Sequence, residues 1–321
     1  MKRFLNKLQR TTLTRNPARC ALFLVVLSLV YFSVSTTVYA QAIGSLKTVK
    51  SEYDDTLLEI ARKYDMGFIE MRAANPDIDP WLPGEGSNIL LPLWNLLPDA
   101  KHEGIVINLA ELRMYIYEKD KDIRTFPIGI GREGFETPLG ETYVSWKRPN
   151  PTWTPTPDMR KANPDLPKVV EPGPGNPLGT HAVYLGWPNY LIHGTSKPWG
   201  IGRRVSSGCI RMYPEDIKQV FAIAQNKMPV TVVNQPLKMA WVDGVFYLEA
   251  HPDITEMDAF MEAGYLPSYD IEAGKLSDIR KAMGKWAYDI DWALVRDVIR
   301  ERKGYPVKIF ERPQYEDKEL R

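Results

Sequence analysis

The chain has 321 residues, 44% of them hydrophobic, with 41 basic and 40 acidic residues. That is enough apolar material to bury a core, and the near-zero net charge gives no electrostatic footprint for nucleic acid. The first 40 residues stand apart. They hold Lys2, Arg3, Lys7, Arg10, Arg15 and Arg19 and no acidic residue. An apolar run follows from Ala21 to about Val34, and Val38-Tyr39-Ala40 offers small or tolerated residues at a cleavage site. This pattern predicts a secretory signal peptide over residues 1–40, cleaved near Ala40. The alternative is an uncleaved inner-membrane anchor, although the run is shorter than the roughly 20 residues a spanning helix needs. Removing the six basic residues of that segment leaves 35 basic against 40 acidic residues, a net charge of −5. No later segment is long and apolar enough to span a membrane.

Residues 44–93 read as a small unit. Val49-Lys50-Ser51 leads into a helix with Leu57, Ile60, Ala61 and Tyr64 on one face, capped by Thr56 or Asp55. A second helix fits Phe68 to Ala74, and Ser87 to Pro92 gives a short strand. This βααβ order resembles a LysM module, a small glycan-binding domain, as do Asp-Thr-Leu, Ile-Ala-Arg-Lys-Tyr and Ala-Asn-Pro. Asp54 replaces the glycine expected before Asp-Thr-Leu. The other reading is a structural cap without glycan affinity.

After a linker over residues 94–103, residues 104–234 are rich in β signals. Gly104 to Leu109 and Leu112 to Tyr117 read as a hairpin, Arg124 to Ile130 and Thr142 to Lys147 as further strands. Residues 149–177 are dense in proline and glycine, and a stretch that long is expected to wall or cover a cleft. Strands resume at Ala182 to Leu185, Leu191 to His193 and Val230 to Val233, with a helix over Pro214 to Asn226. In residues 235–321, Trp241 to Glu249 reads as a hairpin turning at Asp243-Gly244, and Asp278 to Met283 and Trp292 to Arg302 have helical spacing. The whole is a mainly β chain with a C-terminal α+β accessory region.

Gly129-Ile130-Gly131-Arg132-Glu133-Gly134 fits the G-x-G-x-x-G dinucleotide pattern. That fingerprint needs a helix starting in the loop. Phe135-Glu136-Thr137-Pro138-Leu139-Gly140 breaks a helix, so the series reads as tight β-turns.

Beyond the signal, Cys209 is the lone thiol. In an oxidising compartment it has no disulfide partner. A thiol with a free pKa near 8.5 needs a base before it attacks, and a histidine can serve. Ile192-His193-Gly194-Thr195 lies upstream, and Gly194, Pro198, Gly200 and Gly202 can fold the loop back so that His193 and Cys209 meet. Gly208 permits a tight turn, and the amides of Gly208 and Cys209 are candidates for holding an oxyanion. Strand alternation puts Arg211 on the face of Cys209, where it can pair a carboxylate. A merely buried thiol would leave the surrounding glycines and His193 unexplained. His102, His181 and His251 lack metal-ligand spacing, so no metal and no cofactor is expected.

His-Gly-Thr followed by Ser-x-Gly-Cys-Ile-Arg-Met resembles the L,D-transpeptidase family of YkuD or ErfK type. Gly-Ile-Val-Ile-Asn-Leu, Pro-Ile-Gly-Ile-Gly-Arg-Glu-Gly, Glu-Thr-Pro-Leu-Gly and Gly-Pro-Gly-Asn-Pro-Leu-Gly extend the likeness over roughly residues 46–250. The resemblance implies a β-sandwich-like catalytic domain and a cysteine acyl-enzyme, and the signal peptide predicts a periplasmic location. Its implied donor is a peptidoglycan stem tetrapeptide. Cys209 would be the nucleophile and His193 the acid/base, with the Gly194 carbonyl orienting the imidazole and Gly208 supplying an oxyanion amide. Arg211, Ser207 and Thr195 would contact substrate. Many members carry histidine where this chain has Ser207. The acceptor would be a lysine of an outer-membrane lipoprotein, a second stem peptide giving 3-3 cross-links, or water. Glycan strands would engage the LysM-like module. A glycan-binding wall protein without activity is the reading from another class.

Overall fold

The computed structural model describes residues 41–266 and 273–313. The expected signal peptide over residues 1–40 and the charged end of the chain lie outside the described residues. Among the described residues no helix is long and apolar enough to cross a membrane.

The chain opens with β1 (Ala42–Ile43), β2 (Lys47–Lys50), α1 (Leu57–Lys63), α2 (Phe68–Ala74), β3 (Asn88–Leu91) and β4 (Asn95–Leu96). Thr56 caps α1. Its Oγ1 accepts from the Glu59 N–H at 3.2 Å, and Glu59 Oε2 accepts from the Thr56 N–H at 3.1 Å. This box satisfies two donors that a helix start leaves open. β2 and β3 pair antiparallel, closing the βααβ unit over a small core of Leu57, Ile60, Met66, Met71, Ile89 and Leu91. Helix α2 is buried on more than one side. Met71 serves this small core, while Ile69 and Ala73 enter the main core of the protein. A helix with apolar residues on more than one face must be covered by protein on each of them.

The central part comprises β5 (Gly104–Asn108), β6 (Arg113–Tyr117), β7 (Arg124–Pro127), β8 (Ile130–Gly131), β9 (Gly140–Pro149), α3 (Pro157–Ala162), β10 (His181–Leu185), β11 (Leu191–His193), β12 (Arg204–Ser206), β13 (Ile210–Arg211), α4 (Asp216–Ile223) and β14 (Pro229–Val233). Eight of these strands form one curled mixed sheet in the order β13-β11-β10-β9-β14-β5-β6-β7. β5 is buried along its length, with β14 parallel on one side and β6 antiparallel on the other. A strand covered on both faces is apolar throughout, as Gly-Ile-Val-Ile is. The single strand expected over Arg124 to Ile130 is divided into β7 and β8, because Gly129 leaves the ladder to bridge Arg211. Ile217 and Val220 of α4 close the core.

The remainder holds β15 (Leu237–Val242), β16 (Val245–Ala250), α5 (Met257–Ala263), α6 (Ala273–Met283), α7 (Trp292–Glu301) and β17 (Val307–Glu311). Asp243 and Gly244 turn the hairpin with φ of 49° and 81°, the positive pair a type I′ turn requires. β17 joins β16 over a separate apolar cluster built on Phe246, Leu248, Ile279 and Val295. Neither β17 nor α5 is signalled in the sequence reading, yet Met257 and Phe260 of α5 belong to the main core.

The βααβ unit is docked on the central sheet at two points. Arg113 of β6 grips Glu70 of α2, with Nη2 at 2.7 and 2.6 Å from the two carboxylate oxygens. Nearby, Gly202 meets Gly67 and Phe68 backbone to backbone, and the Ile69 N–H donates to the Gly202 carbonyl at 3.2 Å. Gly202 has φ of +74°, and a Cβ there would lie 2.1 Å from Phe68 N. Gly86 has a similar φ of +77° with nothing within 4 Å of its would-be Cβ. Gly86→Ala should therefore cost about 1 kcal/mol for the left-handed backbone. Gly202→Ala should cost roughly 2–4 kcal/mol, because overpacking adds to it. Thermal melting of the two variants checks this; equal losses would mean that the close approach is not a constraint.

Candidate active site

Parallel pairing of β11 with β13 sets His193 opposite Arg211, and Cys209 immediately precedes β13. The loop between them carries a short turn at Pro198–Gly200 and then β12, which pairs with β8. A cleft of about 600 Å³ opens here, and Cys209, His193, Arg211 and Ser207 all line it. The proline-rich stretch supplies a wall, with Trp153, Thr154, Met159 and Leu166 lining it.

His193 is 3% exposed, and its Nδ1 lies 2.6 Å from the Gly194 carbonyl oxygen. A carbonyl only accepts, so Nδ1 carries the proton and Nε2 presents its lone pair. Burial, and then the Arg211 charge, push the imidazolium pKa down to about 3 against the hydrogen bond to Gly194. Cys209 is half-buried, and its Sγ donates to the Asn189 carbonyl at 3.5 Å. Burial pushes the thiol above its ordinary value, and the Leu191 backbone and Arg211 only partly oppose that. The resting pair is thus a thiol and a neutral imidazole.

The Gly208 amide, expected to face an oxyanion, is engaged elsewhere. It donates to Ser206 Oγ at 3.1 Å, and that hydroxyl donates to the Cys209 carbonyl at 2.5 Å. Gly208 itself is needed for its φ of +98° and for the Tyr190 ring, which would lie 2.8 Å from a Cβ. Thr195, expected to contact substrate, is buried; its Oγ1 accepts from the Lys197 N–H at 2.9 Å, a local turn that keeps it from the cleft lining. Ser207 Oγ accepts from Arg132 Nη1 at 3.3 Å. Arg211 exchanges both backbone hydrogen bonds with Gly129 at 2.8 Å, and its Nε is buried with no hydrogen-bond partner among the described residues. Arg132, Tyr184 and Asn189 also line the cleft and escaped the sequence reading. Arg132 lies in the glycine series read as turns; its place in a block resembling the family was the available signal.

Among the described residues, Glu111, Glu249 and His251 hold one ligand-capable group within 4.8 Å of one another, outside the cleft lining. Lys238 Nζ fills it, 2.5 Å from Glu111 and 2.8 Å from Glu249. Burial pushes Glu249 up, but Lys238 and His251 outweigh it and hold the carboxyl below its usual range. An ammonium already supplies the positive charge that a metal would bring.

The family of YkuD, the L,D-transpeptidase catalytic domain, matches residues 102–232. Three proteins of Escherichia coli (strain K12) are similar over most of the chain. The probable L,D-transpeptidase YcfS is 45% identical over 228 residues, covering 68% of this chain and 71% of the relative. The probable L,D-transpeptidase YbiS is 38% identical over 256 residues, 78% of this chain and 81% of the relative. The probable L,D-transpeptidase ErfK/SrfK is 37% identical over 269 residues, 82% and 84% respectively.

Two outcomes follow from a neutral pair. Alkylation of Cys209 by iodoacetamide should keep rising with pH past the ordinary thiol value, since no imidazolium holds a thiolate at neutral pH. A rate already at its plateau by pH 7 would mean an ion pair instead. His193 also couples folding to pH. Its folded pKa of about 3 lies below the ordinary 6.5, so the unfolded chain binds the extra proton between those values. Stability is therefore full above 6.5 and falls as pH drops toward 3. From pH 7 to 5 this amounts to roughly 2 kcal/mol, and His193→Gln should flatten that part of the slope in urea melts. Parallel slopes for the two proteins would show that His193 is not buried neutral.

Proposed function

The chain belongs to the L,D-transpeptidase family, enzymes that act on peptidoglycan, and from that premise we propose that it transfers stem peptides through a Cys209 thioester. His193 Nε2 takes the Cys209 proton as Sγ attacks the carbonyl of the third stem residue, a diamino acid. The tetrahedral oxyanion collapses, the C–N bond to the terminal D-residue breaks, and the departing amine takes the proton from His193. An acceptor amine attacks the thioester and gives up a proton to His193, which returns it to the departing Sγ. The observation that carries this reading is the His193 Nδ1 contact with Gly194 at 2.6 Å in the cleft that Cys209 also lines, which leaves Nε2 as the base. With the Gly208 amide engaged, the Cys209 N–H takes the oxyanion. Arg211 takes a substrate carboxylate in a forked pair. That pairing cancels the charge that weakens His193, so donor binding strengthens the base.

Export to the periplasm through residues 1–40 places the enzyme beside its substrate. The βααβ unit, resembling LysM, holds glycan strands. The acceptor is a lysine side chain of an outer-membrane lipoprotein. Support for this comes from the resemblance of this module and block order to lipoprotein-anchoring enzymes of Gram-negative bacteria.

Intact-mass analysis after mixing with a stem tetrapeptide should find an adduct on the wild type and none on Cys209→Ser. His193→Ala should slow acylation by about 10²- to 10⁴-fold, the usual worth of a positioned base, with partial recovery at high pH. Supplying a lysine-ended lipoprotein peptide, a second stem peptide, or neither separates the acceptors by product mass. An adduct on Cys209→Ser would refute the nucleophile, and transfer only to stem peptide or water would refute lipoprotein anchoring.

A further inference from the structure

The cleft carries charge of one sign. Arg132 and Arg211 line it, and among the described residues no aspartate or glutamate does. Elsewhere the guanidiniums of Arg113, Arg204 and Arg302 each face a carboxylate, on Glu70, Asp258 and Glu256, while that of half-buried Arg203 is covered by the Phe68 ring at 4.1 Å. Arg132 and Arg211 have no such ion pair among the described residues, and they repel each other: burial first, and the Arg132 charge after it, lower the pKa of Arg211. Two like charges held at one cavity without counterions leave a positive field that an anionic ligand completes.

The Arg211 backbone and the Arg132 side chain are also held in place. The Arg211 backbone is locked to Gly129 by its two hydrogen bonds, while its buried Nε has no partner. The Arg132 backbone N–H donates to the Ser206 carbonyl at 3.0 Å, its Nη1 reaches Ser207, and its guanidinium lies over the Phe135 ring at 4.2 Å. A stacked guanidinium with a fixed fork loses less freedom on binding a carboxylate than a free one. Arg211 is half-buried next to Cys209, whereas Arg132 is exposed.

We infer that Arg211 and Arg132 form a two-point reader of carboxylates, selecting donor stems with one free carboxylate close to the attacked carbonyl and a second farther out. This deepens, and rests on, the transpeptidase reading above. In a tetrapeptide donor the terminal D-residue supplies the near carboxylate, for Arg211. The far carboxylate belongs to a dicarboxylic diamino acid and sits at the end of its side chain, for Arg132. Converting that far carboxylate to a carboxamide removes the charge while keeping the shape, so an amidated stem is a poorer donor.

The test compares two synthetic tetrapeptides with diaminopimelate as third residue, one with its side-chain carboxylate free and one with it as carboxamide. Acylation of Cys209 is followed by intact mass. Wild type should favour the free acid by at least about 10-fold in kcat/KM, the low end for a charge-assisted contact. R132Q should bring the two donors within about 3-fold of each other. R132K, which keeps the charge, should retain part of the preference, and iodoacetamide should alkylate all three proteins alike. Equal kcat/KM for the two donors on wild type, or an undiminished preference in R132Q, would overturn the inference while leaving transpeptidation intact. If neither donor acylates Cys209, the reading beneath it falls, and the inference with it.

Discussion

The interaction on which the rest of the structure depends is the buried ion pair of Arg113 and Glu70. Both side chains are 2% exposed, and Glu70 also accepts from the Gly67 N–H at 3.0 Å. Arg113 donates further to Thr125 Oγ1 at 3.2 Å, so both partners are widely hydrogen-bonded. Removing one partner of such a pair strands a charge in the interior, at a cost of about 3–5 kcal/mol. The pair therefore couples α2 to β6, since neither side chain can be lost without stranding the other's charge. Everything at the junction inherits that geometry: the Gly67–Gly202 approach, the Tyr213 hydroxyl on the Met66 carbonyl at 3.2 Å, and the bidentate Arg62–Glu215 contact. The exposed Arg62–Glu215 pair adds little by itself. The buried pair and the backbone contact decide that the βααβ unit is part of the scaffold rather than a tethered appendage.

This matters for the site because Gly202 lies in the segment between His193 and Cys209. Its N–H donates to the Ile128 carbonyl at 3.0 Å while its carbonyl accepts from Ile69. Ile201 beside it is fully buried. The segment is thus pinned between the sheet and the N-terminal unit. A loop of that length would otherwise have many conformations, and fixing each residue costs about 1–2 kcal/mol of backbone entropy. Docking of α2 meets part of that cost before substrate arrives, so His193 and Cys209 are brought to one cleft by contacts remote from it.

Much of the local structure was legible in the sequence, because its signals are local. The capped helix of Leu57–Lys63, the helix of Phe68–Ala74 and the strand of Leu191–His193 follow from spacing, capping and proline placement. The nonlocal features were not. Helix α5 is short and gains its place by laying Met257 and Phe260 on a core assembled from distant strands. Thr195 has the right position in the chain for a substrate contact, but its hydroxyl turns back to the Lys197 amide. The Gly208 amide was legible as a tight turn, and which group it would bond depended on the rotamer of Ser206. Lys238 among Glu111, Glu249 and His251 joins residues far apart in sequence, and no spacing rule could pair them.

The glycine series at 129–134 ends in a turn rather than a helix, and its contacts are steric. Gly129 packs so closely on the Pro198–Gly200 turn that a Cβ would lie 2.9 Å from the Gly200 carbonyl oxygen. Gly131 is tighter, with the Phe135 carbonyl oxygen 2.0 Å from its would-be Cβ. These glycines let the strand pass close to the Gly200 turn, bridge Arg211 and then fold back at Phe135. That passage locks the Arg211 backbone through Gly129, and it leaves Arg132 to emerge at the cleft beside Ser207. Both cationic groups of the cleft are therefore set by the same run of small residues, one through a backbone bridge and the other by succession in the chain. A larger residue at either glycine would displace the strand before it touched any charge, so the electrostatics of the cleft rest on a steric constraint.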